Sequence, residues 1–180
     1  MNKEILSVRE LHKKDINPII HYWLSAEKSF MEGMGVDIRK IPDKEKWKEM
    51  LTEQLSQTYE QKKSYCIIWE LNGKAVGHSN INKIIFGEEA YMHLHIWEKD
   101  IRMKGLGTAF IKMTIPWFFE KYKLKKLYSE PYALNPAPNK TLAKSGFEFI
   151  NQYTTIPGWL DFEQPVKLWM MSYEKFLQIT

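Results

Sequence analysis

The sequence predicts an α/β fold in which about seven strands form a mixed, mostly antiparallel sheet beside about four helices. Two local patterns lead to this prediction. Asn72-Gly73 separates two apolar, strand-like segments, and both residues tolerate the positive φ angles of a two-residue hairpin turn. Farther along, residues 108–122 repeat apolar side chains at helical spacing between two further strand-like segments. This arrangement predicts one βαβ crossover and therefore one parallel strand pair.

The remaining elements follow from local signals. Residues 4–10 alternate as an opening strand, and Asp15 is placed to cap a helix that extends to Trp23. A glycine-punctuated loop at 30–35 precedes a longer polar helix that begins at Pro42-Asp43. In chain order, the predicted strands are 4–10, 64–71, 74–85, 89–97, 126–133, 147–155 and 166–173, and the two later helices are 108–122 and 137–145.

One domain covering residues 1–180 is expected, because the chain shows no repeat, linker or low-complexity segment. Its 44% hydrophobic content is enough for one core. No apolar run approaches the roughly 18–20 residues that a membrane-spanning helix needs, and the first residues lack the apolar stretch of a secretory signal. The single cysteine, Cys66, cannot form an internal disulfide, so a cytoplasmic location without membrane attachment is expected.

The net charge of +4 is mild and would assist an anionic ligand such as a phosphorylated cofactor. Four lysines cluster between residues 121 and 126, but the cluster is typical of a helix end and its loop, where cations are favourable. No alternation of basic and aromatic residues accompanies it, so nucleic-acid binding is not expected. The sequence leaves a monomer and a homodimer equally open.

The segment Arg102-Met103-Lys104-Gly105-Leu106-Gly107 is the strongest functional signal. It lies between a predicted strand and a predicted helix. Glycine allows backbone N–H groups to approach a phosphate closely, and a helix start adds unpaired N–H donors and a positive dipole end. The spacing matches neither a nucleoside-triphosphate loop nor a dinucleotide fingerprint. The segment therefore predicts a pyrophosphate-binding loop of another kind.

This loop resembles the signature of the GNAT superfamily of N-acetyltransferases, in which Arg or Gln is followed three and five residues later by small residues. A second block also resembles that family: Glu130-Pro131 and Asn135 precede a short predicted helix that ends in Gly146-Phe147. The match is nearest to the aminoglycoside 6′-type, siderophore-type and ribosomal-protein-alanine-type branches. It covers residues 74–173 in order and spacing.

The resemblance implies a GNAT fold whose two parallel strands splay apart to admit the pantetheine arm of acetyl-CoA. It also implies direct attack of a primary amine on the thioester, most simply the amine of a small molecule. The alternatives left open are acetylation of protein N-termini and a non-catalytic CoA-binding module. The positions implied for acetyl-CoA are Ile96, Trp97, Glu98, Arg102, Met103, Lys104, Gly105, Leu106, Gly107, Thr108 and Asn135.

Three residues are candidates for the base that removes a proton from the amine. His93 and His95 share one face of their strand, because strand side chains alternate, and histidine titrates near neutrality. Glu130 is the rival, because related members carry an acid before this proline. A metal site is rejected, since no third ligand accompanies the two histidines. His78, on a neighbouring strand, is a weaker candidate.

One position departs from the family pattern. Many members carry a tyrosine in the last helix that protonates the leaving thiolate, and here Leu142 stands in its place, with Tyr132 a speculative substitute. Loops held on a rigid scaffold commonly form pockets. Phe30 and Trp159 in such loops, together with Tyr91 on the strand of the two histidines, are therefore expected to contact the acceptor.

Overall fold

A computed structural model describes residues 4–102 and 105–179. Its strands are β1 (Leu6–Glu10), β2 (Tyr65–Leu71), β3 (Lys74–Ile85), β4 (Glu89–Ile96), β5 (Lys126–Ser129), β6 (Glu148–Thr155) and β7 (Gln164–Ser172). Its α-helices are α1 (Ile16–Ser25), α2 (Lys28–Gly33), α3 (Lys44–Ser56), α4 (Leu106–Tyr122), α5 (Pro136–Lys144) and α6 (Tyr173–Ile179).

The seven strands form one sheet in the order β1-β2-β3-β4-β5-β7-β6. Only β4 and β5 pair in parallel among these strands, and α4 is the crossover between them. The hairpin between β2 and β3 turns at Asn72 and Gly73 with φ angles of 53° and 77°, as the dipeptide predicts. The predicted mixed sheet with a parallel pair is therefore confirmed.

Helices cover both faces of the sheet, and the alternation along β2 shows how. Ile67 and Trp69 belong to a core formed with α4, whereas Cys66 and Ile68 belong to a second core formed with α1 and α3. All four side chains are buried. The buried strand thus holds the α4 layer against the opposite layer, and Cys66 is a packing residue. No helix in the described residues is both long and apolar enough to span a membrane.

Two details of the sequence prediction are corrected. The described residues form six α-helices where about four were predicted, because the glycine-punctuated segment folds as α2 and residues 173–179 add α6. The predicted strand 126–133 ends at Ser129, because the chain leaves the sheet at Glu130-Pro131 and only Tyr132 returns to bridge Val166. A proline lacks the N–H that a strand ladder uses.

Asp15 does not cap α1 with its side chain, which corrects a third prediction. Its carboxylate instead accepts two hydrogen bonds from the Arg9 guanidinium, at 2.7 and 2.9 Å, and one from the backbone N–H of His12 at 2.8 Å. Arg9 also donates to Glu70 on β2 at 2.7 Å. This buried network fastens the start of α1 to the edge of the sheet.

Replacing Asp15 by Asn should lower the free energy of unfolding by about 2 kcal/mol, because it removes the carboxylate that accepts two hydrogen bonds from the partly buried Arg9 guanidinium. Hydrogen bonds from Arg9 and His12 lower the pKa of Asp15, so its stabilisation is present above about pH 4 and is lost as the pH falls. Urea unfolding across pH tests this. The control is Glu49→Gln, which breaks an exposed pair with Lys46 and should change stability little.

Candidate functional site

The parallel pair opens partway along its length. Pairing between β4 and β5 runs from Glu89↔Lys126 to Tyr91↔Tyr128 and then stops. At the point of divergence the Ser129 hydroxyl donates to the Met92 carbonyl at 2.8 Å. Beyond it β4 continues to Ile96, paired only with β3. The strands therefore splay, as the resemblance implied, and leave one edge of β4 without a neighbouring strand.

Backbone groups of β4 face this opening at alternate residues. The Trp97 N–H donates to Val76 at 2.8 Å on the β3 side, so strand alternation directs the N–H and C=O of Ile96 and Leu94 toward the opening. The Arg102 side chain donates to the carbonyls of Ile96 and Trp97 at 2.9 and 3.0 Å. These two hydrogen bonds from Arg102 therefore stabilise the end of β4. Glu98 is directed to an exposed ion pair with Lys74 at 2.9 Å.

Helix α4 begins beside the same opening. Its N-cap residue, Gly105, has φ = 77° and makes no side-chain hydrogen bond to the helix. The backbone N–H groups of Leu106, Gly107 and Thr108, in the first turn, are therefore not capped by a side chain at the N-cap position. Gly107 is buried, and a Cβ there would lie 3.8 Å from the Ile96 side chain. The helix start and the free edge of β4 are therefore adjacent. Met103 and Lys104 lie outside the described residues.

A cleft of about 440 Å³ lies at the opening, between the sheet and the layer of α1 and α3. It brings together seven residues singled out from the sequence, namely His78, His93, His95, Glu130, Tyr132, Asn135 and Trp159. Two predicted acceptor residues, Phe30 and Tyr91, are not among its described lining residues. The Phe30 ring packs 3.6 Å beneath the Arg102 guanidinium. The Tyr91 ring stacks on Tyr128 with centroids 5.1 Å apart.

His95 belongs to a packed aromatic cluster. Its ring stacks on His78 at 4.7 Å, and its Nδ1 lies 3.2 Å from the Tyr22 hydroxyl. His78 in turn accepts a hydrogen bond from the Trp97 indole at 2.7 Å. Burial lowers the pKa of His78 to about 3 and lowers that of His95 well below its usual value. Both rings are therefore neutral at physiological pH, and His78 is a site residue that sequence reasoning underrated.

His93 is one of the residues that line the cleft. Its Nε2 is buried and has no hydrogen-bond partner among the described residues. Burial, together with the charge of Lys83, lowers the pKa of His93 to about 4, so its ring is also neutral near pH 7. A neutral imidazole with a free nitrogen can accept a hydrogen bond and then a proton. Of the three predicted bases, His93 is the one with this geometry.

Glu130 is already engaged by two neighbours. The Tyr153 hydroxyl donates a short hydrogen bond to its carboxylate, and the Lys83 ammonium lies 3.4 Å from its other oxygen. Only 7% of its side chain is exposed. The carboxylate raises the pKa of Tyr153, in addition to the effect of burial. Tyr153 and Lys83 thus fix the position of the Glu130 side chain beside the cleft.

Asn135 caps the helix that follows β5. Its Oδ1 accepts from the backbone N–H of Ala137 at 3.3 Å, so its amide nitrogen is the group left to serve a ligand. The carbonyl of the same residue accepts from the buried Asn139 side chain at 2.7 Å. Asn139 also accepts from the Trp169 indole at 2.8 Å. These contacts fix the position of Asn135 at the cleft.

Asp161 is a cleft residue that sequence reasoning missed. It follows Trp159 in the loop between β6 and β7, and burial raises the pKa of its carboxyl to about 6. Asn82 and Gln164 also line the cleft, and their buried side-chain oxygens, Asn82 Oδ1 and Gln164 Oε1, have no hydrogen-bond partner in the described chain. Their positions in the sequence do not indicate a shared cleft, because Asn82 lies on β3, whereas Asp161 precedes β7 and Gln164 begins it.

Comparison with a family profile identifies the family of this protein. The profile of the acetyltransferase (GNAT) domain matches residues 6–148, most of the chain. The protein belongs to the GNAT acetyltransferase family. No curated protein matches the sequence significantly.

Solved structures share the fold of this GNAT protein at low sequence identity. Aminoglycoside acetyltransferase AAC(6′)-Ib with coenzyme A and kanamycin is 16% identical, with a TM-score of 0.73 over 97% of this chain and 98% of that one. Spermidine N-acetyltransferase from Vibrio cholerae with CoA and spermine is 15% identical, with a TM-score of 0.77 over 96% and 98%. The ribosomal alpha-N-protein acetyltransferase RimL is 10% identical, with a TM-score of 0.76 over 94% and 95%.

Leu142, which departs from the GNAT pattern, is completely buried in the core beside α4 and is not among the described lining residues of the cleft. Tyr132 lies nearer, half-buried at the cleft, with its ring against Phe162 at a centroid distance of 5.9 Å. Of the two positions, only Tyr132 lines the cleft and carries a dissociable proton.

Proposed function

We propose that this GNAT protein transfers the acetyl group of acetyl-CoA to the primary amine of a small molecule. The observation that carries the proposal is the junction at the end of β4. There, an unpaired strand edge and an uncapped helix start lie on one side of a cleft that holds an unpartnered imidazole nitrogen. The first two features suit the donor, and the third suits an amine.

The donor side offers orphan backbone groups that fit CoA. Leu94 and Ile96 present N–H groups that can pair with pantetheine amides as an added strand would. The first N–H groups of α4 can receive the pyrophosphate, favoured by the helix dipole. Asn135 can donate its amide N–H to the same arm. When bound there, acetyl-CoA supplies an activated acetyl thioester.

The acceptor side offers hydrogen-bond acceptors for an amine. Asn82 Oδ1 and Gln164 Oε1 can accept from its N–H groups, and Asp161 adds a carboxylate nearby. His93 Nε2 can take the proton that the amine loses as its nitrogen bonds to the acetyl carbon. The C–S bond breaks in the same sequence of steps, and the thiolate receives a proton from Tyr132 or from solvent. Glu130 holds Lys83 and Tyr153 beside this centre.

A small molecule is proposed as the acceptor because the cleft is bordered by loops and side chains on several sides, including Trp159 and Leu160 in the β6–β7 loop. An extended protein N-terminus is the alternative within the same chemistry. We also place this activity in the cytoplasm, where the buried free thiol of Cys66 stays reduced. Monomer and homodimer both accommodate the proposal.

The test combines cofactor stabilisation with thiol release. Acetyl-CoA should raise the melting temperature, and one or more amines in a panel of alkylamines, arylalkylamines, polyamines, aminoglycosides and N-terminal peptides should trigger release of free CoA thiol. The substitution of Leu142 for the usual tyrosine favours a second candidate, a non-catalytic CoA-binding module. Stabilisation without release by any amine would select that module, and absence of stabilisation would overturn both.

A further inference from the structure

The acceptor cleft has an aromatic wall that leads from the surface to the proposed reaction centre. Trp159 lies 5.9 Å from Trp47, Trp47 stacks on Trp23 at 5.4 Å, and Trp23 meets His95 at 5.1 Å, all between ring centroids. These four residues are the aromatic wall. Trp159 is 51% exposed, whereas Trp23 and Trp47 are each 7% exposed. The aromatic wall therefore begins with the exposed Trp159 at the protein surface and ends with the buried Trp23 against His95.

Aliphatic side chains extend the apolar surface of the cleft. Val36, Leu51 and Leu160 line it and are buried in the fold, and Met34 and Met50 line it at its more open parts. Such a surface contributes binding free energy in proportion to the apolar ligand area it covers.

Three acidic side chains line the described part of the cleft. Glu130 is paired with Lys83, and Glu53 is an exposed residue of α3. Asp161 is left, and burial disfavours its charged form. One ammonium group has a place here, at Asp161, which has no ion pair within the described residues. Several ammonium groups on one ligand do not.

We infer that the acceptor is a monoamine on a flat apolar body, an arylalkylamine, whose ring packs along the aromatic wall while its amine reaches His93. This inference rests on the proposed acetyl transfer and narrows its substrate class. Flat rings gain from offset or edge contacts with tryptophan beyond the area they bury. Polyamines and aminoglycosides, which carry several charges, match the cleft poorly.

The experiment compares specificity constants for matched amines. 2-Phenylethylamine should exceed ethanolamine in kcat/KM by at least about thirtyfold, the effect of burying one phenyl ring, and should also exceed spermine and kanamycin. A series of n-alkylamines should gain about fourfold per methylene until the wall is covered. A higher kcat/KM for spermine or kanamycin than for 2-phenylethylamine would overturn the inference while leaving acetyl transfer in place.

A substitution in the aromatic wall tests whether the wall causes the preference for 2-phenylethylamine. Trp159→Ala should lower kcat/KM for 2-phenylethylamine about tenfold, the loss of one aromatic contact and its buried area, while changing that for ethanolamine less than about twofold. Phe149→Ala is the control, because Phe149 is 52% exposed on β6 and does not line the cleft. Equal losses for both amines would contradict the inference. If no amine is acetylated, the inference falls together with the proposed function.

Discussion

Replacing Gly105 by Val should weaken CoA binding by about tenfold to a hundredfold, as expected when one charge-assisted hydrogen bond to a phosphate is lost. Gly105 is the N-cap of α4 at φ = 77°, a conformation that a β-branched residue adopts only under strain. Relaxation of that strain turns the first N–H groups of α4 away from the cofactor side. Calorimetric titration with CoA measures the loss directly.

The fold should tolerate this change, because within the described part of the chain no atom beyond the adjacent residues and the helix's own backbone lies within 4 Å of a Cβ placed on Gly105. A matched control exists in the turn between β3 and β4. Gly87 has φ = 81° and equally open surroundings, but lies outside the described cleft lining. Gly87→Val should reproduce the cost in stability and keep CoA affinity. If both variants bind CoA equally well, the helix start does not hold the pyrophosphate.

Replacing His93 by Gln should lower kcat by about a hundredfold or more, within the usual contribution of a general base. Glutamine keeps a polar side chain at this position on β4 but cannot accept a proton. The melting-temperature shift caused by acetyl-CoA should persist, because His93 lies on the amine side. His95→Gln and Glu130→Gln test the two rival bases, and a larger loss of kcat in either one than in His93→Gln would reassign the role.

The pH dependence gives a second test of His93. Burial lowers its pKa to about 4, and the base must be unprotonated to act, so kcat should be lost only as the pH falls through about 4. A histidine in water would impose that loss near pH 6.5. Asp161, with a pKa of about 6, titrates between these values, so the profile is measured in Asp161→Asn as well. Loss of kcat near pH 6.5 in that variant would contradict the assignment.

Local signals predicted most of the fold because each one fixes backbone geometry by itself. Asn72-Gly73 specified its hairpin, and the helical spacing at 108–122 specified the crossover that makes β4 and β5 parallel. Asp15 misled the cap prediction because Arg9, six residues away and on the opening strand, binds the carboxylate more strongly than the helix start does. Tertiary partners of this kind leave no trace in local spacing.

Residues of the candidate site could be predicted only where they lie close together on one continuous segment of the sequence. The loop at 102–107 and the two histidines of β4 each lie on one continuous stretch of sequence, and His93 and His95 both line the cleft. The acceptor side is assembled from separate segments. Asp161 and Gln164 converge on the cleft through the β6–β7 connection, and Trp47 reaches Trp159 across the layers. For the same reason, Phe30 came to lie under Arg102 and Tyr91 against Tyr128.

The central claim is that this cleft joins an amine to the acetyl group of acetyl-CoA by direct transfer. Mass spectrometry of a reaction containing the protein, acetyl-CoA and 2-phenylethylamine tests it most directly. We expect one N-acetylated amine for each free CoA formed, and a protein whose mass stays unchanged throughout. Free CoA without acetylated amine, or an acetyl group carried on the protein during turnover, would contradict direct transfer to the amine.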